Sequence, residues 1–239
     1  MEIEHKTLLL PDGRRMPRLG QGTWRMGEED SRREAEVEAL RFGISLGMNL
    51  IDSAEMYADG QAEDVAGEAL KTVKREDVFL VSKVYPVNAN RRHIYESCTQ
   101  SLRRFDVENL DLYLLHWRED ADLAEVAYCM EDLVDQKLIK GWGVSNFDTF
   151  DMEDLWKVPD GNKCAVNQVL YNLGSRGIEY DLIPWKRERN IPFMAYCPVA
   201  QGASLREELL EDKHVREVAA KYDGTPMQIL LGFVLRHDD

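Results

Sequence analysis

Four residues of this 239-residue chain have the types that proton transfer to an oxygen requires: Asp52, Tyr57, Lys83 and His116. Asp52 closes a short apolar run, Leu50-Ile51, and Tyr57 sits in the polar loop that follows, with Asp59 and Gly60. An Ala/Glu-rich stretch, 63–70, then reads as helix. An acid at a strand's end and a tyrosine on the next loop can face one pocket. Lys83 ends the next apolar run and His116 the one after. A phenol titrates near ~10 and is a poor acid at neutral pH. A nearby ammonium favours the phenolate, so Lys83 is expected to lower the Tyr57 pKa, with Asp52 holding Lys83 charged and in place. His116 can hydrogen-bond a carbonyl oxygen and orient it. Such a site donates a proton to an oxygen that is gaining negative charge. No metal-ligand cluster accompanies it, so a reduction here needs a hydride donor that is a cofactor.

The elements that position these residues alternate. Runs 7–10 and 14–19 flank Pro11-Asp12-Gly13, a good turn, and predict an N-terminal hairpin. A strand over 19–23 leads to a helix over 32–46, with Ser31 and Glu34 spaced for a capping box and Gly47 at the end. Strands follow at 49–52, 78–82, 110–115, 141–144, 165–169 and 192–195. Helices follow them at 62–72, 91–105, 123–136, 149–157, 181–189 (the weakest), 213–222 and 226–236, where Pro226 suits a first helical position. Continuous apolar strands between amphipathic helices mean a parallel sheet covered on both faces. About seven βα units over this length predict an α/β fold of the (β/α)8 TIM-barrel type, as one domain over 1–239. An open doubly wound sheet is the runner-up, but 19–27, LGQGTWRMG, misses the third glycine of the dinucleotide fingerprint. The barrel reading places an active site at the strands' C-terminal ends, where Thr23-Trp24, Asp52, Lys83, His116-Trp117, Ser145-Asn146, Gln168 and Tyr196 fall. A structural ion pair, a core histidine or a helix cap explains any one of them, but not all at the same end of successive strands.

The net charge of −14 excludes nucleic acid as a partner and leaves no basic face for a membrane. No signal peptide or membrane-spanning run is present, and Cys98, Cys129, Cys164 and Cys197 are scattered without metal spacing, so a cytoplasmic protein with reduced thiols is expected.

The motifs GQGTW, LIDSAEMYADGQAEDVAGEAL, VSKVYP, LLHW, GVSNF, NQV and AYCPVAQG occur in this order from Leu19 onward. In that combination the chain resembles the aldo-keto reductases, in particular bacterial methylglyoxal or diketogulonate reductase-type members. The resemblance implies a catalytic tetrad of Asp52, Tyr57, Lys83 and His116, with Tyr57 as general acid, and NADPH as cofactor with NADH as the alternative. It implies that Ser145, Asn146 and Gln168 hold the nicotinamide amide, that Tyr196 stacks on the ring, and that Thr23 and the 197–201 loop, with Cys197, Val199 and Gln201, lie along the ribose and pyrophosphate. Trp24, Tyr85 and Trp117 match substrate-lining positions and suggest a small or aromatic carbonyl. A monomer is typical of the fold.

In the family, the helix matching 226–236 leads into an eighth strand, a basic motif for the adenosine 2′-phosphate and a last helix, none of which precedes Asp239. The expectation is therefore a barrel without its last strand and helix, prone to associate through exposed edges and weak in selecting NADPH. Two other readings stand beside the reductase: a barrel aldolase with Lys83 as a Schiff-base amine, and a non-catalytic binding module.

Overall fold

The computed structural model describes residues 7–200 and 203–237. A hairpin, β1 (Thr7–Leu9) and β2 (Arg15–Pro17), comes first; Gly13, at φ +86, supplies the left-handed position its turn requires. Then come β3 (Gly20–Gly22), α1 (Arg33–Ser45), β4 (Leu50–Asp52), α2 (Gln61–Leu70), β5 (Phe79–Val84), α3 (Ile94–Phe105), β6 (Leu112–Leu115), α4 (Leu123–Asp135) and β7 (Trp142–Ser145). The chain continues through α5 (Thr149–Lys157), β8 (Asn167–Leu170), α6 (Leu182–Arg187), β9 (Phe193–Tyr196), α7 (Ala203–Glu211), α8 (Lys213–Lys221) and α9 (Pro226–Leu235). Among the described residues, β3 to β9 form one parallel sheet in sequence order, curled as in an α/β barrel, with β3 and β9 at its two ends.

Side chains alternate across each strand, and this alternation builds the site. Leu50, Phe79, Val81, Leu112, Leu114 and Val166 pack inside the curl, where Leu10 and Met16 of the hairpin join them. Ile51, Leu80, Tyr113, Leu115, Val144 and Val169 point the other way and pack among the helices. Followed toward the strands' C-terminal ends, the inward parity reaches Asp52, Lys83, His116, Ser145, Gln168 and Tyr196. The register aligns them, pairing Gly22 with Asp52, Lys83 with Leu114 and Ser145 with Gln168.

The expected Ser31–Glu34 capping box does not form. Ser31 lies in a 3-10 turn, Asp30–Arg32, that runs into α1, so the helix starts at Arg33 without a side-chain cap. Two capping boxes form elsewhere, Asp148 with Asp151 on α5 and Thr225 with Gln228 on α9, the latter with Pro226 at its first turn. Helix α7 falls where no helix is predicted from the sequence. Among the described residues no helix is long and apolar enough to cross a membrane, and no cluster of side chains is arranged to hold a metal.

Candidate active site

Lys83 is fully buried, and its ammonium donates to Asp52 Oδ2 at 2.8 Å, to the Ser53 carbonyl at 2.7 Å and to Tyr57 Oη at 3.3 Å. An ammonium has three donors, and all three are used. Asp52, ending β4, accepts the Lys83 proton on one oxygen and the Gln168 Nε2–H at 2.9 Å on the other. Tyr57 stands in the short turn between β4 and α2, edge-on to His116 with ring centroids 5.7 Å apart. His116 stacks on Trp117 at 3.8 Å.

Burial opposes every charge here, and the outcome differs by residue. For Lys83, burial favours loss of the proton, but Asp52 and Tyr57 outweigh it and the pKa is raised. A lysine held charged by three acceptors is no Schiff-base nucleophile, which counts against the aldolase reading. For His116, burial and then Lys83 lower the pKa to about 3, so the imidazole is neutral. For Tyr57 the expectation of a depressed pKa is corrected. Lys83 does pull it down, but burial acts more strongly and Asp52 adds to burial, so the pKa is raised and the phenol keeps its proton.

Beyond the tetrad, Ser145 Oγ donates to the Gln168 carbonyl at 2.9 Å, and Asn146 Nδ2 donates to the His116 carbonyl at 3.1 Å and to Ser145 Oγ at 3.2 Å. Asn146 adopts a left-handed φ of 61° and accepts the Tyr196 hydroxyl proton on Oδ1 at 2.8 Å. These groups line a cavity of about 650 Å³ together with Asp52, Tyr57, His116, Trp24 and Trp117.

Residues 18–239 match the aldo/keto reductase family. The chain belongs to the aldo/keto reductase family. It is 54% identical over 222 residues to methylglyoxal reductase YeaE of Escherichia coli (strain K12), covering 93% of this chain and 78% of that protein. Methylglyoxal reductase DkgA of the same organism is 30% identical over 226 residues, 93% of this chain and 76% of that protein. Among solved structures, an aldo/keto reductase from Klebsiella pneumoniae in complex with NADP and acetate superposes with a TM-score of 0.93 at 49% identity, covering 97% of this chain and 82% of that one.

In this aldo/keto reductase family member the structure brings together Asp52, Tyr57, Lys83 and His116, and sets Ser145, Asn146, Gln168, Tyr196, Cys197 and Val199 on or beside the same cavity. Trp24 and Trp117 line it, whereas Tyr85 lines an adjoining groove with Met56, Trp117 and Asn146. Thr23 is not on the wall. It is fully buried, and its hydroxyl lies 3.1 Å from the Asp52 carbonyl, to which it can donate, and 2.8 Å from Ser53 Oγ, whose proton it can accept, which ties it to the strand carrying Asp52. Gln201 lies outside the described residues. Arg206 of α7, which the motifs above do not include, lines the cavity past the 197–200 loop. Its signal was available: it is the first cation after AYCPVAQG, in a Leu-rich stretch with helical spacing. Glu55 was also missed. Its Oε1 accepts the Tyr85 N–H at 2.7 Å and the Asn88 amide at 3.0 Å, and so holds the loop that carries Tyr85.

Proposed function

We propose that this chain reduces small aldehydes and ketones to alcohols with NADPH (NADH being the alternative), with Tyr57 as the general acid and methylglyoxal-type carbonyls as the substrate class. The observation that carries the reading is the Asp52–Lys83–Tyr57 chain of contacts, with its charged lysine against a protonated phenol. The cavity residues fit the nicotinamide end of the cofactor. Gln168 turns its nitrogen to Asp52, which leaves its carbonyl oxygen as an acceptor for a carboxamide N–H beside Ser145 and Asn146. The Tyr196 ring supplies a flat apolar wall, and Arg206 supplies a cation suited to phosphate. When bound, the reduced nicotinamide supplies the hydride.

The protein's own residues handle the oxygen. Among the described residues His116 Nδ1 has no hydrogen-bond partner, and a proton there would be a buried donor left unpaired, so the neutral ring is best protonated on Nε2, from which it can donate to a carbonyl oxygen in the cavity. As negative charge grows on that oxygen, Tyr57 gives up its proton, and the Lys83 ammonium stabilises the phenolate left behind. Asp52 keeps Lys83 charged throughout. Trp24, Trp117 and, at the mouth, Tyr85 surround the substrate with aromatic edges, which suits a small or flat carbonyl compound. The reading keeps a small-molecule partner and assigns no nucleic acid or membrane role; monomeric and cytoplasmic are proposed with it.

The test is Tyr57→Phe assayed with methylglyoxal and NADPH. Turnover should fall by about 10²–10⁴-fold while the cofactor dissociation constant stays unchanged. Retention of most of the turnover would remove Tyr57 from the mechanism. A protein that binds neither cofactor would support the binding-module reading instead.

A further inference from the structure

Tyr57 is followed by three successive residues in the left-handed region: Ala58 at φ 49, Asp59 at φ 52 and Gly60 at φ 91. Glycine adopts this conformation freely, but for Ala and Asp each such position costs about 1–2 kcal/mol. A strained run next to a proton donor persists only where its surroundings over-determine it. Its support lies beneath Gly60. A Cβ built on Gly60 would lie 2.2 Å from Arg104 Cζ and 2.4 Å from Nε, so the guanidinium of α3 packs directly on the glycine backbone. Helices α2 and α3 approach equally closely two turns on, where a Cβ on Gly67 would lie 2.3 Å from the Arg104 carbonyl oxygen.

Arg104 is itself held. Its Nη1 donates to Glu63 Oε2 at 2.9 Å, and the Glu63 side chain is wholly buried. The other oxygen, Oε1, accepts the Ser82 hydroxyl proton at 2.5 Å. Ser82 is the residue before Lys83 on β5 and, by the alternation of the strand, faces the helices while Lys83 faces the cavity. One carboxylate behind the barrel wall is therefore linked, through Ser82, to the backbone that carries Lys83, and through Arg104 to the turn that carries Tyr57. A buried ion pair is weak evidence for stability, since apolar residues of similar volume often do as well, so its presence here calls for a positional reason. Burial also pushes the Glu63 carboxyl upward while Ser82 and Arg104 act against it.

We propose that Glu63 and Arg104 are a positioning pair that fixes the Ala58–Asp59–Gly60 turn and so holds the Tyr57 hydroxyl within reach of the Lys83 ammonium. Neither residue touches the cavity; both act through Tyr57, and the proposal rests on Tyr57 being the general acid.

The test compares Glu63→Ala, Glu63→Gln and Arg104→Lys with the unaltered chain. In the cofactor-free protein, amide hydrogen exchange should rise in peptides covering residues 57–62 and stay unchanged across 142–170. With methylglyoxal and NADPH, kcat should fall about tenfold or more with the cofactor dissociation constant within twofold of the original, because a small displacement of a catalytic group lowers the rate and not the binding. Glu63→Gln keeps the shape and should retain more turnover than Glu63→Ala. Arg104 is partly exposed, so Arg104→Lys decides the matter if Glu63→Ala does not fold. Unchanged exchange at 57–62 together with unchanged kcat in Arg104→Lys would overturn the proposal. So would loss of cofactor binding and turnover in parallel, which marks a general structural role. If Tyr57→Phe retains turnover, the failure belongs to the assignment of the acid; if Tyr57→Phe is inactive while Arg104→Lys is normal in both readouts, it belongs to the positioning pair.

Discussion

The Lys83 ammonium lies 2.8 Å from Asp52 Oδ2 with no exposure to solvent, so the cation depends on that carboxylate for its charge. Removing the carboxylate strands a wholly buried ammonium, at about 3–5 kcal/mol, whereas Lys83→Met leaves Asp52 partly exposed to solvent and still bonded to Gln168 Nε2, so less charge is stranded. Asp52→Asn should therefore lower unfolding stability clearly more than Lys83→Met, although both lose turnover. Urea unfolding at neutral pH measures the difference. Equal losses in the two variants would mean that Lys83 is not held as a buried charge.

His116 links the site to pH. Its pKa of about 3 lies below the ordinary 6.5, so between those values the unfolded chain binds a proton that the folded chain refuses. The contribution is complete above pH 6.5 and is lost as pH falls toward about 3, at up to about 1.4 kcal/mol per pH unit. Stability of the parent protein should decline more steeply with acid over this window than that of His116→Gln. Superimposable pH–stability curves would show that the imidazole titrates normally.

Glu55 braces the loop whose Tyr85 lines the groove beside the main cavity. Its Oε1 accepts the Tyr85 N–H and the Asn88 amide, and neither residue lines the main cavity. Glu55→Ala frees the loop at the groove's mouth, a loss of about 1–3 kcal/mol of local hydrogen bonding. The KM for the carbonyl substrate should rise several-fold while the NADPH dissociation constant does not move. A change in cofactor affinity, with the carbonyl KM constant, would contradict this division.

The clustering of Asp52, Lys83 and His116 was legible in the chain because a two-residue alternation and a repeating strand-helix order place residues without any knowledge of distance. Asp52, Lys83, His116 and Gln168 each end or nearly end an apolar run, and parity turns them inward. What the chain could not display was depth. The direction of the Tyr57 pKa depends on how much protein surrounds the phenol, which the sign of the nearest charge alone does not give. Thr23 follows a strand as the cavity residues do, yet it is turned into the contact between β3 and β4. The Glu63–Arg104 contact joins residues 41 positions apart on the two helices α2 and α3, and no local pattern marks it. Helix α7 is not marked in the chain because the sequence before it holds Pro198 and Gly202 and so reads as irregular, although Leu205, Leu209 and Leu210 lie at helical spacing.

Two glycines test the packing behind the site by giving opposite results. In a helix interior Gly→Ala normally stabilises by about 0.8–1 kcal/mol. Gly232 of α9 is exposed, with no atom of the described residues within 4 Å of a new Cβ, so Gly232→Ala should gain roughly that amount. Gly67 of α2 is buried, and its Cβ would stand 2.3 Å from the Arg104 carbonyl oxygen and 2.9 Å from Phe105 Cα. Those are backbone atoms, so relief requires α2 and α3 to separate, at about 1–3 kcal/mol, which outweighs the propensity gain. Gly67→Ala should therefore melt lower than the parent and Gly232→Ala higher. Because α3 carries Arg104, the separation at Gly67 should also loosen the turn after Tyr57 and lower kcat, an effect Gly232→Ala should not share. A Gly67→Ala protein that melts higher and turns over normally would mean that the two helices are not in contact at this point.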